Sequence, residues 1–548
     1  MACRRRRARR CPSWTGTGST WSWPPRKDGG PYASASTSRS PARTRFGPPW
    51  WRWCDGPGSL ATPPPRAEAT PPRDRRPGRA AHQERSSSVL DDSDVQAVLS
   101  AALATGGEFA EIYAEERRGR SLRLDDGRVE ELVSGRDVGA GVRVLRGRQT
   151  AYAYTNVLSR SALVEAAGVA AAAIRGSDRT QIADLVTRVA PVAHPARIDP
   201  MAADGPKLVE LVTAAEEAAR EVDGSVRQVT ILYADSAREV FLTNSEGHRS
   251  IERPVRTRLV AQVVAAREGI IQTGFEGPGA AVGHELFEQH PPAQIGRRAA
   301  RQAVAMLDSV PAPAGELTVV LGPGGGGVLF HEACGHGMEA DIVAKQASVY
   351  RGRRGERLGT PILTGVDDGT VPGAWGSFGF DDEGTESQRT VLFDKGVCTD
   401  YMSDRIRAQE LGLARTGNGR RQGYAHVPIP RMSNSFILPG QDDPEEIIRS
   451  VKRGIYCRQL GGGQVDPASG DFVFGITEAY LIEGGEIGKA IRGANLVGDG
   501  PTAISRIDAL GTDFDTRQGI CGKDGQGVPV GLGNPTLRIS SITVGGTG

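Results

Sequence analysis

Along residues 91–310 the spacing of apolar side chains switches between helical and strand periods. A helix is predicted at Ser93–Ala104, with Asp91, Asp92 and Ser93 as candidate caps. Short strands are predicted next, at Glu111–Glu115, Ser121–Leu124, Val129–Val133, Gly141–Leu145 and Thr150–Tyr154. Asp126 and Gly127 fall between two of them and read as a hairpin turn; Gly147 turns the next pair. Ser161–Arg175 (SALVEAAGVAAAAIR) reads as a helix that closes this first unit. The proline-bearing stretch from Pro191 to Pro206 reads as a linker. Lys207–Val222 then places Leu208, Leu211, Val212, Ala215, Ala219 and Val222 on one helical face. Strands follow at Val226–Tyr233, Glu239–Thr243 and Arg256–Ala265, with a turn at 244–247 and a helix at Ile295–Leu307.

From Glu316 the texture changes. Glu316–Leu321 (ELTVVL) reads as a buried strand, followed by Gly322, Pro323 and the run Gly324–Gly327. Then comes VLFHEACGHGMEADIV, and short strands alternate with Gly-rich turns to the end. The expected fold class is α+β and multidomain. Small sheet-and-helix units occupy 89–180 and 200–310, and a large strand-rich C-terminal domain, 314–548, carries a distorted HExxxH helix.

Composition sets the first 88 residues apart. The whole chain has 548 residues, 67 Lys+Arg and 65 Asp+Glu, a formal net charge of +2. Residues 1–88 hold 18 basic and 5 acidic groups, a balance of +13; the other 460 carry 49 against 60, or −11. The segment has six of the seven Trp, yet one Leu (Leu60), no Val and no Ile. It cannot bury enough apolar surface to offset chain entropy. Two readings stand: GC-rich sequence translated upstream of a true start near Val89, or a disordered basic tail. The charge of this segment is no basis for a nucleic-acid partner, and none is expected. No run of 18 apolar residues exists, so no membrane span is expected, and no apolar segment follows Arg4–Arg7 as in a signal peptide. A cytoplasmic location follows as an expectation. The four remaining Cys (334, 398, 457, 521) are widely spaced, which favours free thiols or a metal ligand over disulfides.

The chemistry concentrates at His331-Glu332-Ala333-Cys334-Gly335-His336. In HExxH enzymes the two His lie four apart, only about 40° around the helix, and face one metal. Here they lie five apart, about 140° on a regular helix. One π-type turn would realign them, and Gly335 and Gly337 make such a distortion cheap. Without that context, two incidental His on a buried helix is the plain alternative. Elsewhere His284 and His290 lie six apart, about 240° around a helix, and read as a solvated helix end.

HEACGHGMEAD, GRRQGYAHVPIPRMSNSFILPG, GGGQVDPASGDFVFGITEAYLIEGGEI and GICGKDGQGVPVGLGNPTLRISSITVGGTG together resemble the TldD branch of the TldD/PmbA (TldD/TldE) metallopeptidase family. The resemblance spans about residues 91–548. It implies a zinc-type HExxxH metalloprotease that hydrolyses unfolded or extended peptides in peptide maturation or turnover. It also implies a TldE-like, non-catalytic partner subunit, with this chain as the catalytic one. The implied metal is Zn2+, or another divalent ion such as Fe2+. Its ligands would be His331, His336 and, by the family's Cys, Cys521. Two imidazoles need a further ligand to leave one position for water. Cys457 is the rival; Cys334 reads as packed and Cys398 as structural.

Glu332 is the expected general base. A thiolate ligand makes the attacking water less acidic, which puts more weight on that base. Glu339 or Asp341 would orient an imidazole, or both would form a solvated acidic face. Gly461, Gly462, Gly463 and Gln464 would bind substrate by strand addition, or form a tight turn. His426 and Arg431 are further substrate-contact candidates. Two alternative functions remain: a peptide-binding or regulatory subunit with a structural metal site, and an amidase or deaminase.

Overall fold

The computed structural model describes residues 90–176, 180–190 and 195–546. The extension 1–88, with both of its readings, and residues 191–194 of the proline-bearing stretch lie outside the described residues. Among those described, no helix is long and apolar enough to cross a membrane.

The helices start where the caps indicate. Asp91 accepts the Asp94 amide at the start of Asp92–Leu103. Ser159 caps Arg160–Ala172, and Asp204 caps Gly205–Arg220. A fourth long helix is Pro292–Leu307. The strands are longer than the apolar pattern suggests. Phe109–Asp125 and Arg128–Arg146 each run unbroken where two short strands were expected. Their middle sections are charged, but charge is compatible with strand when it pairs across the ladder. Glu116 accepts from Arg136 at 2.9 Å on the neighbouring strand. Between them Asp126 (φ 49°) and Gly127 (φ 78°) make a two-residue turn with both central residues at positive φ, as a tight hairpin requires.

These strands join Gln149–Thr155, Val226–Asn244, His248–Glu252, Val255–Arg267 and Ile270–Glu276 in one nine-stranded sheet. The two N-terminal units therefore meet within a single sheet. Strand alternation explains its two faces. Even positions Ala110, Ile112, Ala114, Leu122 and Leu124 lie under the helices. Odd positions Glu111, Tyr113 and Glu115 are equally buried but face loops of the C-terminal body. Buried charge is tolerable only when paired. Glu111 accepts from Arg421 at 2.5 Å and from Arg143 at 2.7 Å, and Arg143 also donates to Glu383 at 2.6 Å. The Arg421 guanidinium lies over the Tyr113 ring, 4.4 Å from its centroid.

The same contact layer carries a pH dependence. Glu252 accepts the Phe380 amide at 2.9 Å, and burial pushes its pKa up to about 7. The folded state then keeps a proton that the unfolded state loses near pH 4.5. Stability contributed by this group is present below pH 4.5 and is lost as pH rises to 7. Denaturant unfolding across pH 4.5–7 should show a shallower decline in a Glu252→Gln variant than in the parent.

The C-terminal body has two further sheets. One has eight strands and includes Gly315–Leu321, Arg453–Val465, Asp471–Glu483 and Leu537–Gly545. The other has six, ending in Asn434–Ile437, Gln526–Asn534 and, outermost, Asp515–Lys523. The HExxxH helix lies between them. Leu329, Phe330, Ala333, Cys334 and Met338 share one core with Ile455 and Phe474 of the first sheet and Phe393 and Val528 of the second.

Candidate functional site

The glycine run lets this helix enter a crowded space. A Cβ on Gly325 would lie 1.9 Å from the Arg458 carbonyl oxygen. After an α-helical turn, Gly327–Phe330, residues His331–Gly335 form one π-helical turn, and His336–Met338 tighten again. The His336 amide donates to the His331 carbonyl, the i→i+5 bond that defines a π turn. The wider turn brings the two imidazoles edge to face, with centroids 5.1 Å apart. The irregularity that the five-residue spacing requires is present. Gly335 is the last residue of this turn, and a Cβ there would lie 2.1 Å from Met432 Sδ.

Cys521 meets the pair from the outermost strand of the six-stranded sheet. Donor atoms of His331, His336 and Cys521 all lie within 4.8 Å of one another. Cys521 Sγ is 3.4 Å from His336 Nε2. Burial opposes ionisation of this thiol, yet His336 and then His331 hold its pKa well below the ordinary value. Burial likewise opposes charge on His336, and Cys521 and then Glu339 outweigh it, so that pKa stands well above the usual histidine range. His331 Nδ1 is buried without a hydrogen-bond partner. Two imidazoles, an ionisable thiol and an orphaned ring nitrogen form a donor set that suits a zinc-type ion with an open position. Glu332 lies beside it, its carboxylate 3.7 Å from His336 Nε2 and its side chain 21% exposed.

Behind the cluster the acidic pair is not a solvated face. Glu339 and Asp341 are buried. His336 Nδ1–H donates to Glu339 Oε2 at 2.9 Å, so Glu339 orients this imidazole and turns Nε2 toward Cys521. Asp341 instead accepts from Lys523 Nζ at 2.6 Å, and Lys523 also lies 3.0 Å from Glu339. Burial works against the Glu339 carboxylate, but Lys523, His336 and Arg431 bring its pKa down to about 2. Lys523 was missed in the sequence. The available signal was strand period: two residues beyond Cys521, it points to the same side.

Other candidates fall elsewhere. Cys334 is fully buried with Tyr350 Oη 3.4 Å away, and burial pushes its pKa up to about 12. Cys457 is buried mid-strand between two neighbouring strands, and Cys398 is buried in a short strand. Gly461–Gln464 belong to the strand Arg453–Val465, with register shifts at Gln459–Gly463, rather than to a tight turn. Arg431 is fully buried, so the expectation of a substrate contact there is corrected. His426 is half-buried on the segment that lies against Gln526. His284 is not merely solvated: its Nε2 lies 2.7 Å from Tyr233 Oη.

Two imidazoles, a thiol and a nearby carboxylate are the side chains from which metal-dependent hydrolases build their sites. The family model of the PmbA/TldA metallopeptidase C-terminal domain matches residues 314–546, domain 1 matches 110–174 and the central domain 199–307. The chain belongs to the TldD/PmbA metallopeptidase family. It is 38% identical over 453 residues to a metalloprotease TldD homolog of Haemophilus influenzae, covering 80% of this chain and 93% of that one. It is 36% identical over 442 residues to a metalloprotease of Methanothermobacter thermautotrophicus, covering 80% and 96%. The crystal structure of TldE from Thermococcus kodakarensis has the same fold, with TM-score 0.68 and 17% identity, covering 82% of this chain and 99% of that one.

Proposed function

We propose that this chain hydrolyses unfolded or extended peptides with a divalent metal, Zn2+ or Fe2+, held by His331, His336 and Cys521. The convergence of these three donors beside the Glu332 carboxylate carries the reading. A cation bound there supplies polarisation of the scissile carbonyl and acidifies the attacking water. Glu332 accepts the water's proton as oxygen attacks the carbonyl carbon. It returns that proton to the amide nitrogen as the C–N bond breaks. Glu339 fixes the His336 ring throughout.

The strand Arg453–Val465 offers substrate an edge that the Cys521 strand does not. On the Cys521 strand, the Gly519 carbonyl accepts the Trp375 indole at 3.0 Å and the Cys521 carbonyl accepts Arg431 at 2.5 Å. On the strand Arg453–Val465, pairing with Gly315–Leu321 ends at Cys457. Among the described residues no other strand covers that edge at Gly461–Gln464. A peptide added there gains main-chain hydrogen bonds with little side-chain selection, which suits unfolded substrates. The fold shared with a TldE supports pairing with a TldE-like subunit, in cytoplasmic peptide maturation or turnover.

The experiment is cleavage of a fluorescent unstructured peptide, with and without a TldE-like partner. Cleavage that stops with a chelator and returns with Zn2+ or Fe2+ is expected. A metal-loaded chain that leaves the peptide intact, even with the partner, contradicts the proposal.

A further inference from the structure

Cys521 and His336 stand 185 residues apart in the chain. Their spacing is set by how the outer strand docks on the π turn, and one side chain touches both sides of that junction. Arg431 Nη2 donates to the Cys521 carbonyl at 2.5 Å, and Nη1 donates to the Gln526 carbonyl at 3.2 Å. These two acceptors lie on the paired strands of the Cys521 hairpin. Arg431 Nε faces Glu339 Oε1 at 4.0 Å, and both atoms are buried without a hydrogen-bond partner. Glu339's other oxygen holds His336 Nδ1. The base of the arginine is itself fixed. Its amide donates to Asn418 O at 2.9 Å, and Asn418 Nδ2 donates back to its carbonyl at 3.0 Å.

We propose that Arg431 is a positioning residue, whose guanidinium fixes the Cys521 strand relative to Glu339 and His336 so that the donor atoms are correctly spaced before metal arrives. The planar fork donates to two carbonyls while its Nε edge faces a carboxylate, an arrangement that an ammonium on a flexible stem does not reproduce. A fully buried guanidinium is a costly way merely to fill space, since an apolar residue of similar volume fills it at less cost. The inference rests on His331, His336 and Cys521 being the metal ligands.

The test uses the full chain with Arg431→Lys and Arg431→Met. Three quantities are compared with the parent: Zn2+ affinity by chelator competition, the thiolate-to-Co2+ charge-transfer band of the cobalt-loaded protein, and thermal unfolding without metal. Arg431→Lys should unfold cooperatively, bind Zn2+ about 10- to 100-fold more weakly and show a weakened or shifted band. Arg431→Met should show a larger loss; if it fails to fold, the Lys variant decides. A folded Lys variant with parental affinity and band overturns the proposal. So does loss of cooperative unfolding in both variants, because the guanidinium would then hold the fold rather than the site. A parent lacking the band contradicts the ligand set beneath the proposal, and is distinguished by appearing before any substitution.

Discussion

Glu332→Gln is expected to bind metal as the parent does and to cleave peptide about 10²- to 10⁴-fold more slowly. The amide matches the carboxylate in shape but accepts no proton from water. Glu332 stands outside the set of three mutually close donors, so metal content should not change. Among the described residues its nearest ionic neighbour is His336, at 3.7 Å, which keeps Glu339 and Cys521 as partners when Glu332 is replaced. The loss should fall on kcat, because the proton is transferred only as the transition state forms. Steady-state kinetics beside elemental analysis checks both halves. Normal turnover would remove Glu332 from the mechanism.

Cys521→Ser should abolish stable metal binding. Its effect should exceed the roughly 10- to 100-fold loss produced when a residue supporting a ligand is changed. A serine hydroxyl is a far weaker acid than this thiol, whose pKa the two imidazole neighbours hold well below the ordinary value. Cys457→Ser is the matched control. That thiol is fully buried and burial pushes its pKa up, so it presents no thiolate. Metal retained after dialysis should be lost in the first variant and kept in the second. The reverse outcome would move the ligand to Cys457.

Some of this site could be read directly from residue spacing. A spacing of five from His331 to His336 contradicts a regular helix that serves one metal, and a π turn is the smallest repair. The first helix start was legible because Asp91 offers a side-chain acceptor to the first free amides; the next two were read from apolar spacing, and their caps, Ser159 and Asp204, are shown by the structure. The long strands were not legible, because charged runs such as Glu115–Arg120 interrupt apolar alternation. Their compensation comes from residues distant in sequence: Arg136 on Glu116, Arg238 on Glu115. The choice between Cys457 and Cys521 depended on the family resemblance, since spacing alone does not say which strand returns to the helix. Arg431 was noticed but turned the wrong way, toward substrate. Whether a cation faces a cleft or a carbonyl is decided by tertiary packing alone.

The most direct single test is X-ray absorption at the metal edge of the zinc-loaded protein. One Zn–S distance of about 2.3 Å, two Zn–N distances of about 2.0–2.1 Å and one light oxygen ligand are expected. A shell without sulfur, or one closed by four protein ligands, would contradict a catalytic site built from His331, His336 and Cys521.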